Sequence, residues 1–138
     1  METNFAVQRI TEDNPTLSTF TVENFNDAKE FYNAVMNCDQ KLSSKINEVI
    51  KIKNVFMTMA EVDSNNPDGE PAGKVKTVRT VIMTDTGECF MAHSEGIAKS
   101  LYNLFTIFGY PDCWEEPIAV RVKQIETNKG RYFKLEVV

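Results

Sequence analysis

The stretch that decides the fold is VKTVRTVIMTDTGECFMAHSEGIAKSL, residues 75–101. Its pattern predicts a strand, a tight turn, a second strand and then a helix. The first strand carries Lys76 and Arg79 among its apolar residues, and Lys74 comes just before it. An acidic protein thus gathers cations at one end of a strand, opposite a second strand that offers Phe90. This combination raises the question of what the cations bind.

The segments on both sides extend this pattern to five strands. Residues 47–62, NEVIKIKNVFMTMAEV, predict a strand of about fourteen residues, which is long against the usual length of about five or six. Its apolar alternation changes parity after Asn54, and such a change is typical of a β-bulge. Residues 117–126 and 131–138 predict two further strands joined by the turn TNKG. A long, bent first strand suits a small closed barrel, because one strand must serve both halves of the sheet.

The element order from residue 47 onwards is strand, strand, strand, helix, strand, strand. This is the order of the five-stranded Greek-key barrel called the OB-fold, with its helix between the third and fourth strands. We therefore predict a mainly β protein with an OB-fold barrel, preceded by an N-terminal strand and helix. Residues 63–73, DSNNPDGEPAG, are rich in turn formers and predict a flexible loop after the first barrel strand.

The predicted helix after the third barrel strand has clear ends. Ser94 can act as its N-cap, and Gly109 followed by Pro111 ends it. Trp114, in the loop that follows, can be a stacking platform or can pack on this helix; the two carboxylates directly after it favour packing. Five apolar residues at helical spacing predict the buried face of the helix: Ile97, Leu101, Leu104, Phe105 and Phe108.

The N-terminal part is predicted to form an arm, residues 1–15, ahead of a single domain over residues 16–138. FAVQRI in the arm alternates like a short strand, and TEDNP is a break signal. We expect the arm to dock on a neighbouring subunit as an added strand. Its apolar contacts would be Phe5, Val7 and Ile10. A disordered terminus is the alternative.

Between the arm and the barrel the sequence predicts one short strand and one helix. TLSTFTVEN alternates like a strand. NDAKEFYNAVMN predicts a helix that Asn26 can cap. Phe31, Val35 and Ala28 form its apolar face, which we expect to pack against the domain.

Composition fits one folded domain with an uneven charge. The chain has 138 residues, and 42% of them are hydrophobic, which is enough for a core. The net charge is −5; residues 1–40 hold two basic and seven acidic residues, while residues 41–138 hold thirteen of each. The acidity therefore belongs to the N-terminal third, and the rest can carry a local basic surface. A solvated surface of mixed sign is the plainer alternative.

The sequence contains no pattern typical of a catalytic or metal site. His93 has no second histidine to pair with, which argues against a histidine-rich metal centre. Neither a phosphate-cradling loop nor a dinucleotide glycine fingerprint is present. Cys38, Cys89 and Cys113 lack the number and spacing of a disulfide framework or a zinc site. We therefore predict a non-catalytic protein with no metal, no cofactor and no small-molecule substrate.

The sequence also predicts where the protein acts. Its N-terminus lacks the basic start and apolar stretch of a signal peptide. Its apolar runs are only a few residues long, too short for a membrane span. With reduced cysteines, these features predict a cytoplasmic protein with no membrane partner.

Two features needed to bind single-stranded nucleic acid occur together on the predicted strands. Cations can contact phosphates, and exposed aromatic rings can stack on bases. Lys134 shares the outward parity of Tyr132 on the last strand. The full candidate set lies on barrel strands and in the last hairpin: Lys51, Lys53, Phe56, Lys74, Lys76, Arg79, Phe90, Arg121, Lys123, Lys129, Arg131 and Tyr132.

Each candidate also has a plainer interpretation. Phe56 and Phe90 can equally be core residues, since phenylalanine is usually buried. Tyr132 is the stronger stacking candidate because the alternation places it outside. Exposed lysines on strands also protect sheet edges from pairing. The concentration of cations on these strands, rather than any single residue, supports nucleic-acid binding.

The chain also resembles a known family. VRTVIMTDTGECFMAHSEGIAKSL, PIAVRV and NKGRYFKLEV look like segments of the small single-stranded-DNA-binding proteins encoded by phages and conjugative plasmids of Gram-positive bacteria. The likeness covers residues 47–138. Its motifs are soft: Arg79-Thr80, the aspartate–glycine turn region, Ser94, the FG-P at 108–111 and the closing hairpin with Gly130.

The resemblance implies an OB-fold that coats single-stranded DNA with little sequence preference, during replication or transfer. It would place the binding surface on barrel strands one to three and the loops beside them. We therefore predict a non-catalytic protein that binds single-stranded DNA. The alternatives are a protein-interaction module on the same barrel, with the acidic N-terminal third as its contact, and an RNA-binding OB protein.

Overall fold

The computed structural model describes Asp13, residues 15–65, Gly69 and residues 71–138. The predicted docking residues Phe5, Val7 and Ile10 lie outside the described residues. The described strands are β1 (Thr16–Ser18), β2 (Val49–Asn65), β3 (Pro71–Thr84), β4 (Cys89–His93), β5 (Ile118–Thr127) and β6 (Gly130–Val137). The helices are α1 (Phe25–Met36) and α2 (Glu95–Phe108), with short 3-10 turns at Leu42–Lys45 and Pro111–Cys113.

The strands form one antiparallel sheet in the order β4-β3-β2-β5-β6, and β1 pairs with β2 beside this path. The predicted mainly β class, the order of the last five strands and the helix between β4 and β5 are confirmed. The predicted loop over residues 63–73 is too long, because β2 continues to Asn65 and β3 begins at Pro71. The predicted strand TLSTFTVEN is likewise shortened to β1.

The sheet is open, because the described residues of β4 and β6 do not pair with each other. The free edge of β4 is occupied by the chain that leads into the first 3-10 turn. The backbone N–H of Met91 donates to the carbonyl of Gln40 at 2.8 Å, and Lys41 forms a parallel bridge with Met91. That segment therefore takes the place where closure with β6 would occur.

A bulge in β2 sets which side chains face the core. The β2–β3 register shifts between Ile52 and Asn54, as the parity change predicts. Ile52 before the shift and Val55 after it are both fully buried, although they are three residues apart. A regular strand would place residues three apart on opposite faces. The predicted bulge is therefore confirmed.

The second edge of β2 is divided between two partners. Residues 49–52 pair with β5, and residues 56–58 pair with β1. The junction is held by Thr19, whose hydroxyl accepts a bond from the backbone N–H of Val55 at 2.8 Å. The bulge lies just after the residues that pair with β5. The pairing of β2 thus passes from β5 to β1 at the point where the alternation of its inward and outward side chains shifts by one residue.

Helix α2 packs on the inner face of this sheet. Ser94 caps it by accepting from the N–H of Ile97 at 3.2 Å, and Gly109, with a φ of 80°, ends it. Ile97, Leu101, Leu104 and Phe105 are buried as predicted, but Phe108 is 46% exposed. The prediction for Phe108 is wrong because the chain after the helix turns back: Trp114 donates to the Gly109 carbonyl at 2.9 Å and packs near Phe105.

Helix α1 covers the opposite, outer face of β2 and β3. Its N-cap is Asn24, which accepts from the N–H of Asp27 at 2.8 Å, so the prediction of Asn26 as the cap is wrong. Phe31 lies edge-on against Phe20 and Phe56, with ring centroids 5.1 and 5.7 Å apart. The predicted packing of α1 on the domain is therefore confirmed. Neither helix in the described part of the chain is long and apolar enough to cross a membrane.

Arg79 fastens the C-terminal end of α1 to the sheet. Its guanidinium donates to the carbonyl of Val35 at 2.8 Å, and Val35 itself is buried. The last turn of α1 contains no basic residue of its own. A cation at a helix C-terminus stabilises both the unpaired carbonyls and the helix dipole. Arg79 supplies that cation from β3.

Close contact between α2 and β6 depends on Gly96. A methyl group at residue 96 would overlap the backbone carbonyl oxygen of Phe133. One turn further, the hydroxyl of Ser100 accepts from the N–H of Leu135 at 3.1 Å. Ser100 therefore provides an acceptor for one backbone N–H on the edge of β6 that no described strand covers.

The Gly96→Ala variant should lower the free energy of unfolding by about 1–3 kcal/mol, because the added methyl meets rigid backbone. Urea denaturation measures the change. Lys99→Ala, an exposed change on the same helix, is the control and should shift stability by less than about 0.5 kcal/mol. Equal stability of Gly96→Ala and the parent protein would show that α2 does not approach β6 this closely.

The Arg79→Ala variant should lose about 1.5–3 kcal/mol of stability, because a charged donor to the Val35 carbonyl is removed. Urea denaturation again provides the measurement. Lys76→Ala, an exposed change on the same strand, should cost less than about 1 kcal/mol. If both variants unfold alike, Arg79 does not anchor α1.

Candidate nucleic-acid interface

The outer face of β5 and β6, continued onto the first half of β2, carries a cluster of cations around one exposed aromatic ring. The buried residues Val120 and Val122 face the core, so the residues that alternate with them on β5 face outward. Paired residues of antiparallel strands share a face, which extends the outward set to β6 and β2. We name this surface the basic face: Lys51, Arg121, Lys123, Tyr132 and Lys134.

The members of the basic face are accessible to a ligand. Lys51, Tyr132 and Lys134 are exposed, and Arg121 and Lys123 are half-buried. Tyr132 is 45% exposed and lies opposite Ile125. The sequence alternation had placed Lys51, Arg121, Lys123 and Tyr132 outward, and the structure confirms their placement on one face. Their binding role stays a prediction.

The central feature of the basic face is a pair of like charges. Lys123 and Lys134 lie directly opposite each other on β5 and β6. Directly opposed residues have Cβ atoms about 4.5–5.5 Å apart, and like charges at that separation destabilise the pair. In the described residues no carboxylate forms an ion pair with either lysine. Glu136, opposite Arg121, is the acidic residue on this face. An anion placed between the two lysines would remove the repulsion.

The lysines of the β2–β3 hairpin have a different electrostatic setting. Lys76 lies opposite Glu61, and the backbone register puts Lys74 opposite Asp63. Opposite charges across two strands stabilise the pairing. Both lysines are exposed, as predicted, and Lys76 differs from Lys123 in that an acidic residue, Glu61, lies opposite it.

Three predicted binding residues also have structural positions. Arg79 is half-buried and its guanidinium donates to α1, and its role as a phosphate ligand stays a prediction. Phe90 is 1% exposed, because it pairs with Ile82 on the core side of the sheet. Phe56 faces outward but is half-buried against Phe31 of α1. The prediction of Phe90 as an exposed stacking ring is therefore wrong, whereas Phe56 faces outward as predicted and is partly covered by α1.

The remaining predicted cations lie away from the centre of the basic face. Lys53 sits at the bulge of β2 and lines a groove that also contains Glu30, Asp85 and Glu88. Lys129 and Arg131 are exposed at the β5–β6 turn. A phosphate is repelled by the carboxylates near Lys53, whereas the hairpin cations extend the basic face towards the turn.

Helix α1 exposes an aromatic stripe that the sequence pattern did not reveal. Phe25 is 74% exposed and Tyr32 is 60% exposed, with the ammonium of Lys29 4.7 Å from the Phe25 ring centroid. Hydrophobic spacing alone pointed to one buried face on this helix. Glu23 and Glu30 flank the stripe, which makes it a poorer phosphate site than the basic face.

The pKa of each of the three cysteine thiols is raised, which disfavours the reactive thiolate. Burial raises the pKa of the Cys89 thiol to about 11, with smaller contributions from Cys38 and Glu30. A thiol of such high pKa stays protonated at neutral pH and reacts slowly. In the residues that the structure covers, no three His, Cys, Asp or Glu side chains form a group that could hold a metal ion.

Comparisons with known proteins identify the family of the chain. No curated protein and no solved structure matches the chain. Residues 11–137 match the family described as phage single-stranded DNA-binding protein, of the Phi29 phage type. The match includes β1, both helices and the whole basic face. Because it spans nearly all of the sequence, the chain belongs to the phage single-stranded DNA-binding protein family.

Proposed function

We propose that this protein coats single-stranded DNA during phage DNA replication and performs no catalysis. The basic face contacts the phosphates, and Tyr132 stacks on a base. The opposed pair of Lys123 and Lys134 is the observation that carries this proposal. A pair that destabilises the free protein becomes favourable when a polyanion lies on it.

The chemistry of the basic face favours binding with little sequence preference. Phosphate contacts carry no sequence information, and every base offers a face to an aromatic ring. Each phosphate contact contributes about 0.7 to the slope of log affinity against log salt for a single strand. Such a contact strengthens binding about eightfold between 1 M and 50 mM salt, by the same slope.

The fold supports the same proposal. The sheet order, with the helix between β4 and β5, is that of an OB barrel left open between β4 and β6. Helix α1 covers the outer face of β2 and β3, so we place the strand of DNA on β5, β6 and the first half of β2 instead. We also retain the docking of the N-terminal arm on a neighbouring subunit, and action in the cytoplasm, as parts of the proposal.

Fluorescence anisotropy of labelled oligothymidine, at two salt concentrations, tests the proposal. We expect tight, salt-sensitive binding to the single strand and much weaker binding to a duplex of equal length. A matched oligouridine measures the preference between DNA and RNA. The absence of single-strand binding at 50 mM salt would contradict the proposal and favour a protein-interaction module.

The double variant Lys123→Ala/Lys134→Ala should bind oligothymidine about 60-fold more weakly at 50 mM salt, with the salt slope reduced by about 1.4. Its free energy of unfolding should not fall, because the substitution relieves repulsion between like charges. Lys74→Ala/Lys76→Ala is the matched control on the other hairpin and should keep most of the affinity. Equal losses in the two double variants would show that the basic face has no special role.

The Tyr132→Ala variant should lose about 1–3 kcal/mol of binding free energy, because one base loses its stacking partner. Tyr132→Phe should retain the affinity, since the ring is kept. Phe108→Ala removes an aromatic ring of nearly the same exposure, 46% against 45%, and is the control in the same anisotropy assay. A similar loss in Phe108→Ala would place the DNA on α2 rather than on β6.

A further inference from the structure

A cleft of about 840 Å³ separates α2 from β6, beside the basic face. Its size is within the range of about 300–1,000 Å³ that is usual for small-molecule sites. The α2 wall presents Glu95, Lys99 and Asn103, and the β6 wall presents Tyr132, Phe133 and Lys134. Tyr132 and Lys134 belong to the basic face as well, so the two surfaces are continuous.

The cleft exists because the sheet is open. No described strand pairs with the outer edge of β6, and the contacts of α2 with this edge include Gly96 against Phe133 and Ser100 bound to Leu135. The space beside these contacts is left unfilled. The cleft therefore lies along an edge of β6 that no described strand covers.

The two walls of the cleft suit a nucleotide. Lys99 on α2 and Lys134 on β6 are both exposed, so cations line both sides. Asn103 is exposed and offers an amide donor and acceptor to the edge of a base. The floor includes the apolar side chains of Val78 and Ala98. Among the residues that line the cleft, Glu95 carries a carboxylate. In the described residues this carboxylate forms no ion pair with Lys99.

We propose that this cleft takes one nucleotide of the bound single strand. Its phosphate lies near the ammonium groups of Lys99 and Lys134, and its base lies against Tyr132 with its edge towards Asn103. The DNA thus passes along the basic face, crosses the edge of β6 and ends its path on α2. This assignment rests on the proposed function and names Lys99 and Asn103 as further DNA contacts.

Binding of oligothymidines of increasing length to the Lys99→Ala variant tests the cleft. We expect the salt slope to fall by about 0.7 and the dissociation constant to rise about eightfold at 50 mM salt. The shortest oligomer that reaches full affinity should become shorter for Lys99→Ala, because one contact at the end of the path is gone. Lys29→Ala, an exposed lysine on the other helix, is the matched control and should leave both quantities unchanged.

Cross-linking gives a readout that does not depend on affinity. Irradiated 5-iodouracil oligomers should attach to Tyr132 and to residues of α2 in the parent protein, and the α2 adducts should disappear in Asn103→Glu, which places a carboxylate beside the phosphate. If Lys99→Ala and Asn103→Glu bind like the parent while Lys123→Ala/Lys134→Ala is weakened, the cleft is empty and the proposed function stands. If the parent does not bind at all, the proposed function itself is wrong.

Discussion

The rest of the structure depends on the bulge in β2. Without it, Ile52 and Val55 could not both face the core, and the long strand could not serve two halves of the sheet. The bulge follows directly after the four residues that pair with β5. It therefore determines which half of β2 meets β5 and which half meets β1.

That division decides which outer surfaces are available. Over the second half of β2 and over β3, helix α1 forms a small second core around Phe31, and Arg79 fixes its end. Over the first half of β2 and over β5 and β6, the cations are accessible. Helix α1 thus covers the outer face of β2 and β3, where an OB-fold commonly binds nucleic acid, and the accessible cations lie on the same outer face over β5, β6 and the first half of β2.

In the proposed function, bound DNA relieves the repulsion between Lys123 and Lys134 on β5 and β6. Strand pairs are usually stabilised by opposite charges, as at Lys76 and Glu61, and the Lys123–Lys134 pair departs from that rule. Local departures of this kind are expected at functional sites rather than in the supporting framework. The net acidity of the chain does not oppose this, because it is concentrated in the first forty residues.

The sequence by itself determined the order of strands and helices along the chain, the bulge in β2 and the ends of α2. It also determined that Lys51, Arg121, Lys123 and Tyr132 face outward. These features follow from local periodicity and turn chemistry. Only the tertiary structure decided which outward face stays open. Strand alternation assigns residues to two faces but does not say which face a distant helix will cover. For that reason Phe56 and Arg79 were expected at the surface, yet α1 packs on both. The opposition of Lys123 and Lys134 and the α2–β6 cleft likewise depend on register and on the open sheet, which are set by contacts far apart in the chain.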